Sequence, residues 1–343
     1  MKRALRMVVS VVVAAVFLGL FFWKLDARAI LHHMREASPA WLALAVAMQG
    51  LHLALRTLRW RILLAPLKPR IGLYNLFSTT AIGYLISFVF FRVGEVLRPV
   101  MLAQREGLPK AGAIATCVLE RLMDALAVAL LLGVYLVFLF EPPAAGTGEL
   151  DMEQVRRAGL LLGGLMLAGL PVLYAGVHYR HRLLAWVDRR PAGSPAMLPR
   201  LLHGFLGGFD AMKGGWSFTV AWVHSLVIWV GIAASIWASL AAFGLDLRFA
   251  DSLLMLSLLN IGIAAPTPGG VGSYEYMGQL GLTQVFGVEP NRAAAAILVT
   301  HAFAIGPVIL VGTGLLWREG LSLRALAARQ EAGRGAGAME APR

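Results

Sequence analysis

Pro266-Thr267-Pro268-Gly269-Gly270-Val271-Gly272-Ser273-Tyr274-Glu275 lies between two apolar segments of a chain that otherwise reads as membrane helix. Two prolines and three glycines cannot continue a helix, so the backbone breaks and leaves amides without partners. Lipid cannot satisfy those amides; irregular backbone at membrane depth survives only inside protein or beside a wet cavity. The acid that follows, Glu275, is costly in hydrocarbon and marks a functional candidate. The competing reading is a tight surface loop between two helices.

Working outward, 58% hydrophobic and 15% charged residues over 343 positions describe an all-α polytopic membrane protein. The single cysteine, Cys117, sits in an apolar segment, so no disulfide framework or thiol metal site arises. The scattered histidines suggest no metal or cofactor site. Apolar runs at 7–23, 40–55, 113–140, 160–177, 216–243 and 293–317 read as six full spans. The first competes with a signal peptide, but it is longer than a usual signal core and is followed by Lys24 and Asp26. Arg56-Thr57-Leu58-Arg59-Trp60-Arg61 reads as a cytoplasmic flank of the second span, with Trp60 an interfacial anchor.

With the amino terminus inside, most of the 31 Lys and Arg fall in cytoplasmic segments. The net charge of +12 then reports orientation in the bacterial cytoplasmic membrane with both termini inside, and nucleic acid is excluded as the partner it implies. This orientation makes segment 71–112 begin and end inside, and segment 249–292 begin and end outside. Each therefore reads as a re-entrant hairpin, the first broken near Arg92–Arg98 and the second at 266–272. Eight membrane segments result, in one transporter-like domain over 1–317 whose halves, 1–140 and 158–317, repeat with inverted topology. Residues 318–343 form a polar, disordered cytoplasmic tail. Paired interruptions in inverted halves point to a substrate site at mid-membrane.

Around the first break, Arg92, Glu95 and Arg98 are spaced by three and share a helix face. Glu120 and Asp124 are spaced by four, with Arg121 in reach of Asp124. One reading is a structural ion-pair network in which three cations cancel three anions. The other is a phosphate site, because Arg matches phosphate oxygens with a planar fork. Arg56 and Arg59 then add positive charge at the cytoplasmic mouth. Pro266 and Pro268 shape the opposite break, and Gly269, Gly270 and Gly272 offer backbone amides as an anion nest. Glu275 is a candidate for titration in a proton-coupled cycle. Gln49, His52, Asn260 and His301 read as polar glue between helices.

With both breaks in view, the sequence resembles the flippase-like family represented by the membrane region of bacterial lysylphosphatidylglycerol synthase. The carrying motifs are Arg56-Thr57-Leu58-Arg59-Trp60, Arg92-Val93-Gly94-Glu95-Val96-Leu97-Arg98, Glu120-Arg121-Leu122-Met123-Asp124 and the stretch Pro266 to Glu275. The resemblance covers residues 40–317 and implies movement of a polar-headed lipid between leaflets, without enzymatic chemistry. Aminoacylated phosphatidylglycerol is that family's best-known cargo, and its relatives occur beside isoprenoid-lipid and envelope-polysaccharide pathways. The full synthase carries a soluble transferase domain after its membrane region, which this sequence lacks after residue 317, so the implication reaches a class of lipid and no single cargo. Two rivals remain: a lipid-binding partner of an envelope-biosynthesis enzyme, docking through the basic loop at 178–213, and a membrane enzyme using Glu95, Glu120 or Asp124 as acid and base.

Overall fold

The computed structural model describes residues 2–89, 93–140 and 215–320, with a few isolated positions between 157 and 185. Every element among them is helical. Among the described residues, four helices are long and apolar enough to cross a membrane: α3 (Pro39–Leu64), α6 (Lys110–Val134, prolonged by a π-helical turn Tyr135–Leu139), α7 (Gly215–Ala242) and α10 (Pro290–Arg318). The chain is a multi-pass membrane protein.

The first expected span, 7–23, falls on helix α1 (Lys2–Phe22), 21 residues long, which passes into α2 (Ala27–Glu36) through an 82° bend. Asp26 fixes that bend by accepting from the Arg28 amide at 2.8 Å, as an N-cap residue does. Helix α2 carries His32, His33, Arg35 and Glu36, too many charges for a lipid-facing span. Among the described residues the candidate spans number four, or five with the bent pair. The span at 160–177, the loop at 178–213 and the tail beyond residue 320 lie outside the described residues.

Between the long helices sit two pairs of short ones. Helices α4 (Leu73–Val89) and α5 (Val93–Glu106) pack against each other. So do α8 (Asp251–Ala264) and α9 (Ser273–Leu280), joined through a 3₁₀ turn Pro268–Gly270. At 1.5 Å per residue the longest arm, α4, measures about 25 Å, short of the ~30 Å hydrocarbon core. Hydrophobicity does not drive helices together in lipid, where small residues permitting close approach do. At Gly94 an added Cβ would stand 1.8 Å from the Gly83 carbonyl oxygen, and at Gly262 it would stand 2.7 Å from that of Ser273. Each hairpin is closed by backbone contact at a glycine.

Residues 90–92, within the expected break, lie outside the described residues. Glu95 and Arg98 lie on helix α5, as their spacing by three allows, so the expected break does not extend through 93–98. The hairpin ends meet: a Cβ on Gly269 would lie 3.4 Å from the Phe88 ring. Helix α3 makes its most extensive contact with α7, where Ser235 Oγ donates to the Ala45 carbonyl at 2.9 Å. Helix α10 leans on α4 through Gly312, whose Cβ position is 2.9 Å from the Ala81 carbonyl oxygen. Pro307, inside α10, has no N–H for the carbonyls one turn back. Gln49 reaches the same turn from α3, donating to Ala304 O at 3.0 Å.

Candidate functional site

Helix α3 runs nine residues past the expected end of its span, to Leu64, and this relocates Arg56, Arg59 and Trp60. They are no cytoplasmic flank: the Arg59 side chain and Trp60 are fully buried and Arg56 nearly so. A guanidinium survives there because carboxylates face it from α6. Arg56 Nη1 lies 2.8 Å from Asp124 Oδ2, Arg59 Nη1 2.6 Å from Asp124 Oδ1, and Arg59 Nη2 3.3 Å from Glu120 Oε1. Glu120 Oε2 pairs with Arg98 from α5, and Arg121 Nη2 stands 3.2 Å from Asp124 Oδ2. Asp124 lies about 20 Å along α6 from Lys110, near the middle of that helix and its π-helical extension.

Neutral groups complete the cluster. Trp229 Nε1 of α7 donates to Asp124 at 2.9 Å, and Arg59 Nη1 donates to Ser225 Oγ at 2.9 Å. The Arg98 guanidinium stacks 4.1 Å from the Trp60 ring centroid, a cation–π contact, and donates to Cys117 Sγ at 3.1 Å. Arg56, Arg98 and Arg121 all converge on the Tyr84 hydroxyl at 3.3–3.5 Å. Trp229, Ser225 and Tyr84 were missed in the sequence; their only signal there is a polar atom inside an apolar run.

The charges do not cancel as the spacing suggested. Among the described residues, four guanidiniums face two carboxylates, a formal surplus of two. Arg92 lies outside the described residues. Glu95 joins none of these ion pairs; it lines an adjacent cleft of about 130 Å³ with Tyr84, Ser87, Arg98, Cys117 and Arg121. Counting Glu95, the surplus is one. Two buried polar atoms of cleft-lining residues, Arg98 Nε and Ser87 Oγ, have no hydrogen-bond partner. The Arg121 side chain is 39% exposed and gives the cluster an open edge.

The second break is built the opposite way. Gly269, Gly270 and Gly272 take φ of +61°, +80° and +86°, values glycine adopts without strain. The anion nest expected there is already filled. The Gly270 amide donates to Thr267 O at 3.2 Å, the Val271 amide to Pro268 O at 3.1 Å, and the Gly272 amide to Glu275 Oε2 at 2.7 Å. Pro268 opens the 3₁₀ turn, while Pro266 stands exposed. Glu275 Oε1 lies 2.5 Å from His301 Nδ1, and His301 Nε2 lies 3.1 Å from Gly269 O. His301, read as glue, is the partner of the one acid at this break. Its separation from Glu275 along the chain hid the pair. Pro266, Pro268, Gly269, Gly270, Gly272 and Glu275 thus form one unit, distinct from the cluster around Asp124.

Comparison with known proteins agrees with this architecture. The chain is 25% identical to a protein named glycosyltransferase AglD from Haloferax volcanii, over 94% of this chain and 55% of that protein. It therefore spans about half the length of that relative. It is also 25% identical to a UPF0104 membrane protein from Methanothermobacter thermautotrophicus, over 82% of this chain and 86% of the relative. The family described as the lysylphosphatidylglycerol synthase TM region matches residues 7–312. That match takes in both hairpins and every arginine and carboxylate of the buried cluster, so the chain belongs to the lysylphosphatidylglycerol synthase transmembrane-region family.

Proposed function

We propose that this protein moves a lipid with a phosphate-containing head group between the leaflets of the bacterial cytoplasmic membrane. One observation carries the reading: a buried cluster at membrane depth holds more guanidiniums than carboxylates, with Arg98 Nε and Ser87 Oγ unpaired at its cleft. A surplus cation in a low-dielectric site calls for an anion, and a phosphate brings both the charge and the acceptors these donors lack. The lipid tails remain in the bilayer while the head group enters between α4, α5 and α6. Membership of the family supports the cargo class.

An inverted repeat of eight segments gives the movement its geometry. Two features support it: α3 and α7, second in each half, pack on one another, and the hairpin ends meet at Phe88 and Gly269. Rocking of the halves about that meeting point exposes the cluster alternately. Both termini face the cytoplasm by the distribution of Lys and Arg.

The test is leaflet exchange of head-group-labelled phospholipids and isoprenoid phosphates in proteoliposomes. Exchange in wild type that is lost in Arg98→Ala supports transport. Folded protein that exchanges nothing across this panel overturns it. A second reading draws on the glycosyltransferase name of the Haloferax volcanii relative. In it the chain presents a lipid-linked sugar phosphate to an envelope enzyme without moving it, and binding of such a lipid without exchange would favour that role.

A further inference from the structure

The second hairpin holds two groups whose hydrogen bonds fix a proton count. His301 Nε2 faces the Gly269 carbonyl oxygen at 3.1 Å, and a carbonyl only accepts, so Nε2 carries a hydrogen. His301 Nδ1 faces Glu275 Oε1 at 2.5 Å, and one further hydrogen must lie between them. The pair therefore holds two protons, as imidazolium with carboxylate or as imidazole with carboxylic acid. Both forms are electrically neutral overall, which suits two side chains that are only 4% and 6% exposed. Tyr274 stacks on the imidazole at 4.1 Å and holds its ring in plane for both contacts.

We propose that Glu275 and His301 form a proton-binding site, and that its occupancy ties the second hairpin to α10. The step is a plain dissociation: the loaded pair gives one proton to bulk water and is left with a charge of −1. Only one hydrogen then remains for two contacts, so either Gly269 or Glu275 loses its bond to His301. The partners that pack around the pair are neutral: Gly272 and Gly269 at the break, Phe88 from α4, and Phe17 of α1 beside Tyr276. From α7, Ser239 reaches Thr300, and from α3, Gln49 reaches Ala304. Tyr274 and Tyr276 are the other titratable side chains named in these contacts, and both are neutral as phenols. No described cation offsets the charge left behind. Because Gly269 also meets Phe88, the proton controls the contact between the two hairpins. Acid and histidine chains of this kind serve as proton relays in membrane pumps.

The proposal stands apart from what the first site carries. Its test is amide hydrogen exchange of the full chain in detergent across residues 269–275, corrected for intrinsic rates, between about pH 5 and pH 9. Protection should be constant at the acid end and fall about tenfold per pH unit above the transition, the slope of one proton. Glu275→Gln and His301→Gln should each flatten that profile. Wild-type protection that is level over the whole range overturns the proposal, whether or not the variants fold. Lipid exchange recorded on the same samples separates the two readings. A one-proton profile without lipid exchange leaves this site standing and removes transport; exchange with a level profile does the reverse.

Discussion

The hairpin α4/α5 and the hairpin α8/α9 are both made of helices shorter than a full span, and each is closed by a glycine at a close approach, Gly94 in one and Gly262 in the other. They differ in how they treat polar groups. At the second break the amides of Gly270, Val271 and Gly272 and both nitrogens of His301 have partners, and Glu275 takes the place an outside anion would occupy. Beside the first hairpin, Arg98 Nε and Ser87 Oγ are left over and the cations outnumber the anions. Under the proposed transport reading, the self-satisfied break suits a joint and the unsatisfied cluster suits a receptor.

Several changes would break or sharpen that contrast. Asp124→Asn leaves Arg56, Arg59 and Arg121 facing a neutral amide and should cost about 3–5 kcal/mol, the range for orphaning a buried ion pair. Glu275→Gln leaves a neutral surrounding and should cost less than half of that. Thermal unfolding in detergent compares them, and equal losses would erase the distinction between the sites. Next in size is Gly94→Ala, whose new methyl collides with the Gly83 carbonyl; about 1–3 kcal/mol is expected, more than for Gly262→Ala. If Gly262→Ala proves the costlier, the first hairpin is not the more tightly closed.

Ser87→Ala should leave the unfolding temperature unchanged, since its hydroxyl has no protein partner, yet slow head-group exchange several-fold for the loss of about 1 kcal/mol. An unaltered exchange rate would remove Ser87 from the receptor. The smallest effect concerns the far end of the first hairpin. Lys68 Nζ lies 2.6 Å from Glu106 Oε2, and this hydrogen bond, joined by that of Asn75, holds the Glu106 carboxyl below its usual range despite the opposing effect of burial. The tie is therefore complete above the unfolded carboxyl value, about 4.3, and fails as pH falls through the lower folded one. With Lys68 partly exposed, at most about 1 kcal/mol is at stake. Proteolysis of the 65–72 loop should accelerate only in strong acid, and acceleration already near neutrality would refute the assignment.

The hairpins were legible because proline and glycine announce a broken backbone locally, and the parity of crossings follows from where Lys and Arg fall. The cluster was legible in part. Arg98, Glu120, Arg121 and Asp124 carry charge inside apolar segments and stand out unaided. Arg59 and Trp60 did not, because an arginine-rich end of an apolar run looks the same whether it meets water or a carboxylate on α6. Helix α2 went unread since ten mixed residues have no span-like pattern. The pairing of Glu275 with His301 depends on how α9 is laid against α10, which no local pattern encodes.

Helix α10 touches both hairpins at separate heights, gripping Glu275 with His301 and bearing on α4 with Gly312. Pro307 stands between those two points. Under the proposed transport reading, a change of bend at this proline alters how the two ends of α10 bear on their hairpins relative to one another, so a single helix carries the movement of one hairpin to the other.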